Sequence, residues 1–517
     1  MVRNMLLALP LACLVSPAAH AEWHEASSKH FVVLADDTPD NLRAFTQDLE
    51  RFDQAIRVLR GAPDDRRGPA SRVNIFVVDD AGNVQKLSGR TGIAGFYSAR
   101  ASGSVAFTPR RNSSNSELSP RAILFHEYAH HWMLTNWADA ALPPWFVEGF
   151  AEFHATALMR GDGSVIFGAV PSYRRHTVAD MSLLPVPQLV RPDPGKLSDP
   201  QVRDALYSRG WLLTHYLTFD TERRKGLAAY IGAINSRQSL ATATAALGDV
   251  SGLDIKLNSY LKRPTLPSIQ IRPEQLAIGE VAIRKLTAGE AAVMPARLAS
   301  TAGVNARTAP VVYALAKRLA AAYPNDAAAQ NELAEAAFDA KDYAGAEAAA
   351  DRALAADPKS IHALIYKGKA QSEIAAAAGV SDAGRWTAIR RWFVAANKVD
   401  PEDPYPLVEY HESFRLAKQK PTKNAEDGLI YAYALAPFDR RLRIDAAYAL
   451  LTQDRGPEAR RALGPIAFDI AEQAQLAALA QRIIDAIDKD GAAAALKLID
   501  EERKKAAGAD KAAKKDG

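Results

Sequence analysis

Residues 126–130 read His-Glu-Tyr-Ala-His. On a helix, positions i and i+4 lie on one face, so His126 and His130 can point at a single ion. Neutral imidazole nitrogen suits zinc. Glu127 lies beside that face, where it can reach a metal-bound water and act as general base in attack on a carbonyl carbon. It can then deliver a proton to a departing amine. A catalytic zinc takes three protein ligands and keeps one open position. Residues 145–153 (Trp-Phe-Val-Glu-Gly-Phe-Ala-Glu-Phe) supply Glu148 as the candidate third ligand. The five-residue motif alone is a weak signal, because paired histidines on a helix also occur as partly buried polar residues. The apolar run Ile123-Leu124-Phe125 ahead of it, and Trp145-Phe146 at the start of the next helix, strengthen it.

The surrounding pattern mixes periods of two and 3.6. Residues 30–35 (HFVVLA) and 71–78 (SRVNIFVV) read as strands, and 38–60 as an amphipathic helix with Leu42, Phe45, Leu49, Phe52 and Ile56 at helical spacing. Two short extended pieces follow, 95–99 and 103–107, separated by a polar turn. After a loop at 112–119, a helix beginning near Pro120 carries the histidines. Pro143-Pro144 opens another, running to about Met159, since proline is well placed in a first turn. Residues 206–219, 224–235 and 254–261 are further helices. The expectation is a small mixed sheet against the motif helix, with a helical lobe supplying Glu148.

Three prolines within 263–273 mark a junction, and 263–310 is expected to be a linker. Beyond it alanine dominates and helices come in pairs. Residues 327–339 and 343–356, closed by Pro358, form one helix-turn-helix unit. Its Ala334, Tyr343, Ala346, Ala353, Leu354 and Pro358 resemble the tetratricopeptide-repeat pattern. Looser units are expected at 360–375 with 383–399, and at 425–437 with 442–452. An all-α repeat domain is thus expected over 311–500. The tail 501–517, with six Lys/Arg against four Asp/Glu, reads as disordered.

Residues 1–21 read as a signal peptide: Arg3, an apolar run over 5–15, and a small-x-small site at Ala19-His20-Ala21. The run is too short to span a bilayer. Cleavage after Ala21 implies export, to the periplasm of a Gram-negative bacterium or the exterior, without stable membrane insertion. Cys13, the single cysteine, falls within this segment, so the mature chain has neither disulfide nor thiol chemistry. A lipid anchor there is disfavoured by Pro10. The net charge is only +4 and no recognisable module accompanies it, which argues against a nucleic-acid partner.

His-Glu-x-x-His, 14 intervening residues and then Trp-x-x-Glu-Gly-x-Ala-Glu-Phe resemble the gluzincin zinc metallopeptidases, above all bacterial peptidase MA-like domain proteins. Over residues 22–262 the resemblance implies an α+β, zincin-like (thermolysin-like) catalytic domain. It implies one zinc ion per chain on His126, His130 and Glu148, with Glu127 as base. It also implies Glu152, one turn beyond Glu148, as the carboxylate that orients a ligand histidine. Tyr207-Ser-Arg-Gly210 resembles the segment whose tyrosine stabilises the tetrahedral intermediate in related aminopeptidases, with Tyr216 as the rival on the same helix. The glycine-rich exopeptidase signature of those enzymes is absent, so aminopeptidase activity does not carry over. If 95–99 and 103–107 form a hairpin, its outer strand can pair with an extended peptide.

His131 is rotated away from the ligand face and reads as a surface or supporting residue. Tyr128 and Trp132 read as packing. Arg110-Arg111 and Arg174-Arg175 read as solvated charge, or as one pair for a substrate carboxylate. Two function classes follow. One is an exported zinc-dependent peptidase acting on a peptide or protein. The other is a non-catalytic binding or assembly protein whose repeats hold a protein partner, with a structural or vestigial zinc site.

Overall fold

A computed structural model describes residues 22–64, 68–91, 93–111, 118–180, 183–190, 199–236, 238–467 and 474–513. Residues 1–21, which the sequence reads as a signal peptide, most of the 112–119 loop and residues 514–517 lie outside them.

Strands β1 (Trp23–Ser27) and β2 (Phe31–Asp36) form a hairpin that leads into helix α1 (Pro39–Arg60). Thr38 caps α1 by accepting from Asn41 N, Pro39 occupies the first position, and Gly61 ends it at φ 62. Next come β3 (Val73–Val78), α2 (Ala81–Ser88), β4 (Phe96–Ser98) and β5 (Val105–Pro109). The histidine helix α3 (Pro120–Asn136) is capped by Ser119, which accepts from Ala122 N. Helix α4 (Pro144–Ala155) carries Glu148. A small hairpin follows, β6 (Leu158–Met159) and β7 (Val165–Phe167), then the short helices α5 (Arg175–Ala179) and α6 (Val186–Leu189). Helices α7 (Pro200–Phe219), α8 (Thr221–Asn235), α9 (Leu240–Ala245) and α10 (Leu253–Leu261) complete the lobe.

Strands β8 (Ile269–Ile271) and β9 (Ala282–Lys285) then return to this first unit. The six-stranded sheet has order β4-β5-β3-β2-β1-β9. Its centre is parallel (β2 with β3, β3 with β5), and its flanks are antiparallel. A second sheet has order β6-β7-β8. One face of the large sheet packs on α1 and α3, where Phe52 and Phe125 stack with centroids 3.8 Å apart. The other buries Leu34, Phe76, Val105 and Phe107 against Leu286 and Met294.

Helix pairs follow: α11 (Ala288–Ala302) with α12 (Ala309–Ala320), α13 (Ala327–Asp339) with α14 (Tyr343–Ala356), and α15 (Ile361–Ala377) with α16 (Ala383–Val399). The array continues with α17 (Pro404–Leu416) and α18 (Lys423–Leu435), α19 (Arg440–Thr452) and α20 (Gly456–Ala467), and α21 (Ala474–Asp490) and α22 (Ala492–Ala513). The carboxyl-terminal part is therefore a helical-repeat array. Among the described residues no helix is long and apolar enough to cross a membrane.

Several expectations need correction. The stretch 263–310 is not a linker: β8 and β9 belong to the sheets of the first unit, and α11 opens the array despite Pro295 within it. Helix α4 stops at Ala155, because the chain must turn into the β6–β7 hairpin, whose turn holds Gly163 at φ 86. The helices expected at 425–437 and 442–452 are α18 and α19, which pack on each other, and α17 precedes them with Pro404 and Pro406 in its first turn rather than breaking it. The tail expected to be disordered continues α22 as far as Ala513.

The two parts meet at the β4–β5 hairpin tip. Ala101 N donates to Asp439 Oδ2 at 2.7 Å, and Arg100 Nη1 donates to Thr301 O at 3.0 Å. Buried Arg443 donates to Ala138 O at 2.7 Å, tying α19 to the loop after the histidine helix.

Candidate metal centre

Helix α3 brings His126 and His130 onto one face with their Nε2 atoms 3.1 Å apart. Helix α4 crosses it and places Glu148 Oε2 3.5 Å from each. Two tetrahedral ligand atoms, each about 2.0–2.1 Å from zinc, are separated by roughly 3.3–3.4 Å, and the three edges lie near that spacing. The chemistry of the donors agrees. Glu148 is 5% exposed, and its Oε2 has no hydrogen-bond donor. That oxygen faces the two imidazole nitrogens at 3.5 Å, and a cation among the three atoms would offset the cost of burying its charge. Burial disfavours charge on His126, but Glu148 and Glu152 outweigh it and push the imidazole up to about 9. The same histidines outweigh burial at Glu148 and hold its carboxyl below the usual range. Among the described residues this is the one His/Cys/Asp/Glu cluster with ligand atoms close enough to share an ion.

The half-buried Glu127 makes no hydrogen bond or ion pair among the described residues, so its carboxylate is available. It lies close enough to His126, Tyr207 and Tyr97 for its charge to act on all three.

Glu152 lies behind His126, with Oε1 3.7 Å from Nδ1. It accepts from Tyr173 Oη at 2.8 Å and from Arg174 Nη2 at 2.9 Å. Arg174 also pairs with Asp204 and covers the Tyr207 ring at 4.8 Å. The two-arginine reading therefore needs correction: Arg174 is engaged in holding Glu152, and Arg175 is exposed. Tyr173 was missed, because only the folded path of residues 168–174 brings it under α4.

Tyr207 on α7 lies beside His126, with ring centroids 6.0 Å apart and planes 19° from parallel. Burial and the Glu148 charge raise its phenol above the ordinary value. Tyr216, two and a half turns on, packs on Tyr260 at 5.1 Å, away from the histidines. His131 is not a surface residue. It is buried, its Nδ1 is 2.6 Å from Tyr97 Oη, and its ring packs on Phe438 of the array at 4.6 Å. Tyr128 and Trp132 are packing residues, and Tyr128 also donates to Asp53 at 2.8 Å. Tyr97 belongs to β4, the outer strand of the expected hairpin and an edge of the large sheet.

No family model and no curated protein matches the chain. Among solved structures, the crystal structure of yeast Tom70 overlaps with a TM-score of 0.25 at 14% identity. The overlap covers 56% of this chain and 61% of that one, so it spans less than two thirds of Tom70, and at this level it carries no argument about fold or function.

Proposed function

We propose that this chain is an exported zinc-dependent peptidase of the gluzincin type that hydrolyses peptide bonds, with a zincin-like first unit followed by tetratricopeptide-like repeats. The observation that carries this reading is the His126–His130–Glu148 triangle, with edges of 3.1, 3.5 and 3.5 Å, a buried carboxylate oxygen that accepts no hydrogen bond, and an available Glu127 beside it. Zinc held there supplies Lewis acidity toward water and a carbonyl oxygen. Glu127 takes a proton from the attacking water and passes it to the leaving amine nitrogen. The Tyr207 hydroxyl donates toward the oxygen on which negative charge develops, a preorganised role suited to a phenol kept protonated by burial. Glu152, fixed by Tyr173 and Arg174, orients His126 from its Nδ1 side. The edge strand β4 offers backbone groups to an extended substrate. The leader-like residues 1–21 support export to the periplasm or the exterior.

A non-catalytic binding or assembly protein is the competing reading, favoured by the extent of the helical array and the cavities along its inner helices. The deciding experiment measures zinc content and peptide-library cleavage by the mature protein, with Glu127→Ala and Glu148→Ala alongside. The peptidase reading expects one zinc per chain, cleavage lost in Glu127→Ala with zinc kept, and zinc lost in Glu148→Ala. Zinc without cleavage moves the function to the array. A folded, metal-supplied protein without zinc removes the site altogether.

A further inference from the structure

Two adjacent cavities lie along the inner helices of the array: one of about 460 Å3 between α13, α15 and the start of α17 on one side and the large sheet with α11 on the other, and one of about 340 Å3 along α13, α15, α17 and α19. The β4–β5 hairpin tip separates them, and Ser102 and Tyr405 line both. Five carboxylates and three arginines line the larger cavity, and five carboxylates against Lys369 and Arg441 line the smaller. The chain as a whole is net positive, so this local excess of negative charge is placed by the fold rather than by composition.

Two of these carboxylates, Glu332 and Glu373, lack a partner among the described residues, while the other eight are engaged. Glu332, Glu335 and Asp339 fall at i, i+3 and i+7 on one face of α13. Glu335 accepts from His362 at 2.8 Å, whereas Glu332 and Asp339 make no hydrogen bond or ion pair among the described residues. Glu332 is 5% exposed, its Oε1 lacks any donor, and it lines the larger cavity. Glu373 stands likewise without a hydrogen bond or ion pair in the smaller one. Burial and the neighbouring Glu335 charge hold Glu332 well above the usual carboxylate range and push Asp339 up to about 6. A cation arriving among these groups relieves both effects.

The same face already holds one lysine. The Lys369 ammonium sits 4.8, 5.0 and 5.1 Å from the ring centres of Phe338, Tyr366 and Tyr405, and 3.1 Å from Glu409 Oε1. Aromatic faces plus a carboxylate are the surroundings that accept a desolvated ammonium or guanidinium group.

We propose that this inner face of the array is a binding surface for an extended polypeptide segment bearing lysine or arginine, whose basic side chains enter the two cavities beside Glu332 and Glu373. The proposal stands whether or not the chain cleaves peptides. If it does, the surface selects basic substrates.

The test is fluorescence anisotropy on the full mature chain. The probes are a fluorescein-labelled peptide alternating lysine with serine and its glutamine-for-lysine counterpart. The lysine peptide is expected to bind at least about tenfold tighter, a difference of about 1.4 kcal/mol. Glu332→Gln and Glu373→Gln are near-isosteric and break no hydrogen bond. Each is expected to weaken binding about three- to tenfold, and the pair to do so further. Glu280→Gln, at an exposed carboxylate outside both cavities, is expected to leave binding unchanged. His126→Ala should also bind normally, which separates this surface from the metal reading. Equal affinity for the two peptides, no binding, or an unchanged affinity in the folded double variant would overturn the proposal.

Discussion

Gly149 and Gly210 cross backbone against backbone: a Cβ on Gly149 would fall on the Gly210 carbonyl and 2.7 Å from Thr214 Oγ1, and one on Gly210 would lie 2.6 Å from Trp145 O. This crossing of α4 and α7 sets the separation of Glu148 and Tyr207, each within three residues of it. Gly149→Ala should therefore force the helices apart and cost about 1–3 kcal/mol. Thermal unfolding and zinc stoichiometry should fall together. An alanine variant with unchanged stability and full zinc would show that the crossing has slack.

Tyr207→Phe removes one hydroxyl while keeping the ring beside His126. Under the peptidase reading, kcat should drop about 100- to 1,000-fold, as for loss of one oxyanion donor. Bound zinc and KM should change little. Tyr216→Phe, facing Tyr260, should retain activity. The reverse pattern would move the oxyanion role to Tyr216.

Glu152→Gln keeps the shape of the group behind His126 but weakens its pull on Nδ1. Zinc affinity should fall about 10- to 100-fold, measured by competition with a chelating dye. Arg174→Ala should produce a smaller loss in the same direction, because it frees Glu152 to move. Unchanged affinity in both variants would make this carboxylate purely a packing element.

Away from the candidate metal site, the His30 Nδ1 atom lies 2.7 Å from Glu50 Oε2, on largely buried side chains. Burial opposes charge on both, but each partner outweighs it, so His30 is raised and Glu50 lowered. The histidine contribution is complete below its ordinary value of 6.5 and is lost as pH rises through the folded value. The glutamate contribution is complete above 4.5 and is lost as pH falls through its folded value. A double-mutant cycle on His30→Gln and Glu50→Gln, followed by urea unfolding, should give a coupling of about 0.5–3 kcal/mol between those limits. It should fade toward either extreme. Coupling that is flat from acid to alkaline pH would refute the pair.

The ligand trio was legible because each part is local: two histidines on one helix, and a glutamate at the start of the next. Contacts between segments distant in sequence were not. His131 reads as a surface or supporting residue because its helical phase points it away from His126. What buries it there is Tyr97 on one side and Phe438, some three hundred residues later, on the other. Tyr173 and Arg174 carry no periodic signal, and only the loop's path lays them on Glu152. Helices α11 and α17 were hidden by Pro295, Pro404 and Pro406, which punctuate a sequence but are tolerated here within a helix or its first turn.

Strand β9 is the least conspicuous element of the large sheet, four residues set beyond the expected end of the first unit, yet it covers the whole outer side of β1. A gene fragment cut after codon 262 would leave that side bare, and unpaired strand edges recruit other chains. A transplant of the histidine-bearing unit into another protein would have to carry everything through Lys285, well beyond the candidate motifs themselves.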